Sequence, residues 1–81
     1  MHSMHKFKYA TLGEDGDGRH QIVLCETLAQ ARSAERRLAS KWDDVYVFRI
    51  VGWSPAGRNR GEDALTFRHA GTLYEAQIEN L

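Results

Sequence analysis

"ETLAQARSAERRLASKW", Glu26 to Trp42, decides the fold. Thr27 followed three residues later by Gln30 forms a capping box, whose side chains satisfy backbone donors that a first helical turn leaves free. The spacing therefore predicts a helix from about Leu28 to Ser40. At about 100° per residue, Leu28, Ala31, Ala34, Leu38, Ala39 and Trp42 fall on one arc, with Gln30, Ser33, Arg36, Arg37 and Ser40 opposite. Alanines on the inner arc let such a helix sit close against a sheet. Arg32 with Arg36 lines one flank and Arg37 with Lys41 the other, each pair four residues apart and stacked along the axis. Glu35 projects from the apolar arc and reaches back to Arg32 at i−3. A flank ion pair explains it more simply than a buried general base does.

The segments around this helix alternate with period two. "KFKYATL" (Lys6 to Leu12) sets Phe7, Tyr9 and Thr11 against Lys6, Lys8 and Ala10, and "RHQIVLC" (Arg19 to Cys25) sets Ile22 and Leu24 against Gln21 and Val23. Both read as strands. "GEDGDG" (Gly13 to Gly18) between them is rich in residues that tolerate positive φ, so the pair closes as an antiparallel hairpin. After the helix, "VYVFRIVGW" (Val45 to Trp53) is apolar on both faces apart from Arg49, as expected of a central strand. "SPAGRNRGED" (Ser54 to Asp63) reads as an exposed loop carrying Arg58 and Arg60. "ALTFRH" and "TLYEAQIE" flank Ala70 and Gly71 and read as a second hairpin, with a short helix over residues 72–81 as the competing reading because Thr72 and Glu75 fit another capping box.

The order is then ββαβββ: an α+β fold, an antiparallel or mixed sheet with one amphipathic helix packed on one face. The sequence supplies no second helix for the other face. Strands bearing Tyr9, Tyr46, Phe48, Phe67 and Tyr74 are expected to leave aromatic surface there, which suggests a contact site or a homodimer interface.

Composition bounds what such a domain does. Its 81 residues form a single domain with residues 1–5 expected to fray, near the lower limit for a core without staples. With 42% hydrophobic and 27% charged residues the chain reads as globular. No apolar run is long enough to span a bilayer, and "MHSMHKFKYA" has no apolar signal-peptide region, so a cytoplasmic location is expected. Cys25 is the only cysteine, which excludes an internal disulfide and any multi-thiolate zinc site; in "IVLC" it reads as a small core hydrophobe.

Catalytic motifs do not assemble. His2 and His5 lie three apart near the terminus with no further ligand at a suitable spacing. "DGDG" fails the calcium-loop pattern because Gly13 would hold its first acidic position and Leu24 its last. His20 and His69 fall in strands and read as structural or surface residues, and no nucleophile–base pair is in reach by local spacing. Neither a metal nor a cofactor is expected. Arg32, Arg36, Arg37, Lys41, Arg58 and Arg60 remain as a partner-binding set. A formal net charge of zero and a pI near 6.9 argue against a dedicated nucleic-acid binder. Segregated charge in a neutral chain suits a specific protein partner, with a merely solvated helix face as the plain alternative.

The run "QIVLCETLAQARSAERRLAS" (Gln21 to Ser40), followed by a strand containing "FRI" (Phe48 to Ile50), resembles the small anti-CRISPR proteins of phages and mobile elements that use a ββαβ-type fold against type I surveillance complexes. Thr27, Leu28, Gln30, Ala31 and Arg32 match that family's Ser/Thr cap and Leu-x-Gln-Ala-basic run, and the resemblance covers roughly half the chain. It implies that basic helix residues occupy the part of the Cascade backbone where target DNA lies, blocking hybridisation with guide RNA without chemistry. Arg32 and Arg37 match basic helix positions of the family, whereas Ser33 stands where a second consecutive basic residue is expected. Charge alone suggests that Arg58 and Arg60 supplement the helix. The expectation is a non-enzymatic inhibitor that binds Cas proteins of a type I complex in the bacterial host cell. The alternative is a nucleic-acid-binding or homodimeric accessory protein of phage or bacterial origin.

Overall fold

The computed structural model describes residues 4–57 and 63–81. A short 3-10 turn, Met4–Lys6, leads into β1 (Tyr9–Glu14) and β2 (His20–Cys25), then α1 (Leu28–Ala39), β3 (Asp44–Pro55), β4 (Ala64–His69) and β5 (Thr72–Asn80). The expected α+β order is present, and every strand pairing is antiparallel, in the spatial order β2-β1-β3-β5-β4. β3 is central, and residues 72–80 are strand rather than helix. Within the segment expected to fray, Met4 is buried.

Each element forms for a local reason. At the start of α1 the Thr27 hydroxyl accepts from the Gln30 amide at 3.2 Å, and the Gln30 side-chain oxygen accepts from the Glu26 amide at 2.8 Å. The capping box thus closes one residue further back than its usual form. The second hairpin turns on two residues, Ala70 and Gly71, both with positive φ, as a tight turn matched to strand twist requires. In the first hairpin, Asp15 collects the amides of Asp17 and Arg19 at 2.9 and 3.1 Å, and the Arg19 guanidinium at 2.9 Å. Gly13 and Glu14, expected in the turn, instead extend β1.

Desolvation pushes the Asp15 carboxyl up, but those backbone amides and the guanidinium outweigh it and hold the group below its ordinary value. A depressed folded-state value means that the carboxylate's contribution is present above the unfolded value and lost as pH falls through the folded one. Asp15→Asn is therefore expected to flatten the acid limb of the stability curve below the ordinary carboxylate range. Denaturant titrations of both proteins across that range check it, and parallel acid limbs would refute it.

Two clusters of side chains hold the molecule, one on each face of the sheet. On the outer face, Ala31 and Ala34 of α1 meet Cys25 and Val47, with Tyr9 and Val23 beside them. Leu38 fills the end of this contact at 4% exposure. Trp42 lies over Gly13 and donates its indole N–H to Gln21 at 3.2 Å. Leu28 is 41% exposed and Ala39 is also exposed, so the buried stripe is narrower than the expected arc. Both lie at the edge of that arc, and α1 packs chiefly on β1, β3 and β2, three of the five strands.

The inner face corrects a second expectation. No helix covers it, yet it is not a flat aromatic surface, because the sheet curls over itself. Ile22 and Leu24 of β2 join Leu65 and Phe67 of β4 in one cluster around Ala10, Ile50 and Ala76, although β2 and β4 lie at opposite ends of the strand order. The bend follows a register irregularity between Ile50 and Gly52, where Val51 is the extra residue. Phe67 stacks against Trp53 edge-on at 5.4 Å and against Tyr74 at 6.2 Å. Tyr9 belongs to the outer cluster, and Phe7 packs with the inner one because the regular strand begins only at Tyr9.

Candidate functional site

The exposed side of α1 is built by the pattern that buries its other side. Arg32, Arg36, Arg37 and Lys41 are all exposed. At about 100° per residue they divide into two rows, Arg32 with Arg36 and Arg37 with Lys41, on either side of a crest of Ala29, Ser33 and Ser40. The crest residues are small and exposed. A negatively charged ridge laid along the crest would meet cations on both sides.

The rows differ in how far they are already engaged. Arg32 donates to Glu35 at 3.2 Å, the flank pair expected from the sequence, and Arg36 donates to the Ser33 hydroxyl at 3.1 Å. Lys41 lies 5.5 Å from the Trp42 ring centroid, and Arg37 has no ion-pair partner among the described residues. An exposed i, i+3 pair such as Arg32–Glu35 contributes only a few tenths of a kcal/mol, so it opens readily for a stronger acceptor. Arg36 and Arg37 also lie in the last turn, where a cation stabilises the helix dipole by about 0.3–1 kcal/mol. Arg32 lies outside that turn, so the dipole does not explain its charge.

Arg58 and Arg60, the other two residues of the expected set, lie outside the described residues, as does His2. Arg49, the exception in the central strand, is exposed and pairs across β3 and β5 with Glu79. Burial pushes the Cys25 thiol up, with Thr11 and Arg37 pulling less strongly the other way, so this is a packing residue and not an activated nucleophile. Among the described residues, no group of three His, Cys, Asp or Glu is arranged to hold a metal ion. No helix among them is long and apolar enough to cross a membrane.

One set of residues escaped the sequence reading. Glu14 stands in register with Asp44 on β3 and with His20 on β2, so the three side chains share the inner face. Glu14 falls in the expected turn segment Gly13 to Gly18, where alternation carries no meaning. The signal lay in extending the Leu12 parity by one step. Comparison with family models, with curated proteins and with solved structures returns no match.

Proposed function

We propose that the protein is a non-enzymatic binding module that uses the outer face of α1 to engage an anionic protein or ribonucleoprotein surface. The observation that carries this reading is the pair of exposed cation rows flanking a crest of small residues, in a chain of zero net charge. Complementary charge on a recognition face steers encounter and fixes register, which such a concentration would serve. The finer reading is inhibition of a type I CRISPR surveillance complex in the bacterial cytoplasm, with the helix standing where target DNA would lie. It rests on the resemblance of the Thr27–Arg32 run.

Arg32→Glu and Arg37→Glu test it. On an exposed helix each change costs the fold little: Arg37→Glu loses the dipole contribution and sets an anion against it, about 0.6–2 kcal/mol in all, and Arg32→Glu gives up the Glu35 pair, a few tenths of a kcal/mol. Capture of a purified type I complex is expected to fall by at least about tenfold for each variant, as the loss of a charge-assisted contact implies. Circular dichroism should remain unchanged. Capture that survives both reversals would remove α1 from the contact. Tight binding to bare duplex DNA, falling linearly with the logarithm of salt, together with no capture, would establish the nucleic-acid alternative instead.

A further inference from the structure

The inner face opens at the end where the first hairpin turns. Two clefts of about 260 and 300 Å³ adjoin there at Ala64. Phe48 and Ile78 line the first together with Asp63, Glu79 and Asn80; Leu12, Ile22 and Leu65 line the second together with Glu14, His20 and Thr66. None of these apolar side chains is fully buried. Tyr46 shares the inner face beside Leu12, keeps 44% of its surface exposed, and holds its ring 6.3 Å from that of Phe48. The mouth is thus a groove of mixed lining, its apolar part partly aromatic, open to solvent.

Among the described residues the charged groups at its rim are the carboxylates Glu14, Asp44 and Asp63, with His20 beside Glu14. Glu14 and Asp44 face each other directly across β1 and β3, an arrangement in which like charges repel and destabilise the sheet. Neither of them, nor Asp63, has an ion-pair partner among the described residues. Among the described residues no group is arranged for a metal ion, and an organic cation is the natural complement. Arginine and lysine join such a charge to an apolar stem, and their cationic heads favour aromatic faces.

We propose that this mouth is a docking groove for a basic, apolar, extended segment of a partner protein. Apolar side chains of the segment enter the two clefts, and its arginines or lysines meet the Glu14–Asp44 pair and Asp63. Charge complementarity selects this occupant, because nucleic acid or an acidic segment would face uncompensated carboxylates. The helix of a second copy has cations but a crest of Ala29, Ser33 and Ser40, with no apolar side chain long enough to fill the clefts. The groove lies on the opposite sheet face from α1 and stands independently of the helix reading.

A short synthetic peptide alternating leucine and arginine, and its leucine–glutamate counterpart, test the groove when titrated into the full chain. Binding is read from backbone amide shifts. The arginine peptide is expected to saturate, moving the amides of Leu12, Ile22, Phe48, Leu65 and Ile78, and the glutamate peptide to leave them in place. Glu14→Gln with Asp63→Asn should weaken the arginine peptide about tenfold while raising the thermal midpoint, since the repulsion is removed with the function. Arg32→Glu should leave the peptide's affinity unchanged, which separates this result from failure of the helix reading. Equal binding of both peptides, absence of saturation, or shifts confined to α1 would overturn the proposal. A dimer in light scattering that dissociates on Glu14→Gln would also overturn it, by assigning the groove to a second copy.

Discussion

Leu38→Ala is expected to destabilise the protein by about 2–5 kcal/mol, the range for removing a buried leucine from a core that relaxes only in part. Leu38 is the one large side chain on the buried stripe of α1; its neighbours there, Ala31 and Ala34, have nothing to extend into the space it leaves. For a domain of this length total stability is about 4–12 kcal/mol, so the loss is a large fraction of the whole. At roughly 4–8 °C per kcal/mol the thermal midpoint should fall by at least about 8 °C. Urea unfolding should show the same loss as a lower midpoint with an unchanged slope. A loss under about 1 kcal/mol would mean that α1 is held to the sheet by something other than this side chain.

Gly13→Ala is expected to have the next largest effect, for a steric reason. A Cβ at this position would lie 2.6 Å from Cδ1 and 2.7 Å from Cγ of Trp42, inside any tolerable contact. Those atoms are at the base of the indole rather than at a flexible tip, and the ring is tethered by its hydrogen bond to Gln21. Relief requires Trp42 to swing away or β1 to bend, an overpacking cost of about 1–3 kcal/mol. Gly13→Ala with Trp42→Ala should recover most of the loss attributable to the clash, beyond what Trp42→Ala alone removes. A double-mutant cycle with no coupling between the two positions would refute the contact.

These residues also show how much was legible beforehand. The helix and its exposed basic residues could be read because capping chemistry and 3.6-residue periodicity are local, and β3 because a strand apolar on both faces has few other places to go. The curl could not be read so directly. It depends on one extra residue, Val51, beside a glycine in a run that is otherwise continuously apolar, and such a run shows no alternation for an irregularity to interrupt. The lack of a second helix in the sequence points to an exposed aromatic face. In the structure Trp53, Phe67 and Tyr74 pack on one another inside the curl, and Tyr46 at the mouth keeps the larger exposure. The basic helix face was therefore visible in the sequence. The groove was not, because Glu14, Asp44 and Ala64 are brought to one mouth by strand pairing and curvature rather than by proximity in the chain.

The smallness of the helix–sheet contact has a consequence for Thr11. Alanine against a sheet gives a smooth surface, and apolar burial alone distinguishes poorly between one axial setting of the helix and another displaced along it. Thr11 is fully buried beneath α1, and its hydroxyl donates to the Ala31 carbonyl at 3.0 Å. That bond is directional where the alanines are not. A helix slid along its axis would carry the carbonyl away and leave a buried hydroxyl without its acceptor, a penalty comparable to the small energy differences between neighbouring settings. Thr11 therefore acts as a detent, stopping a slippery contact at a single setting, and the position of the cation rows over the sheet is fixed from beneath by a fully buried residue.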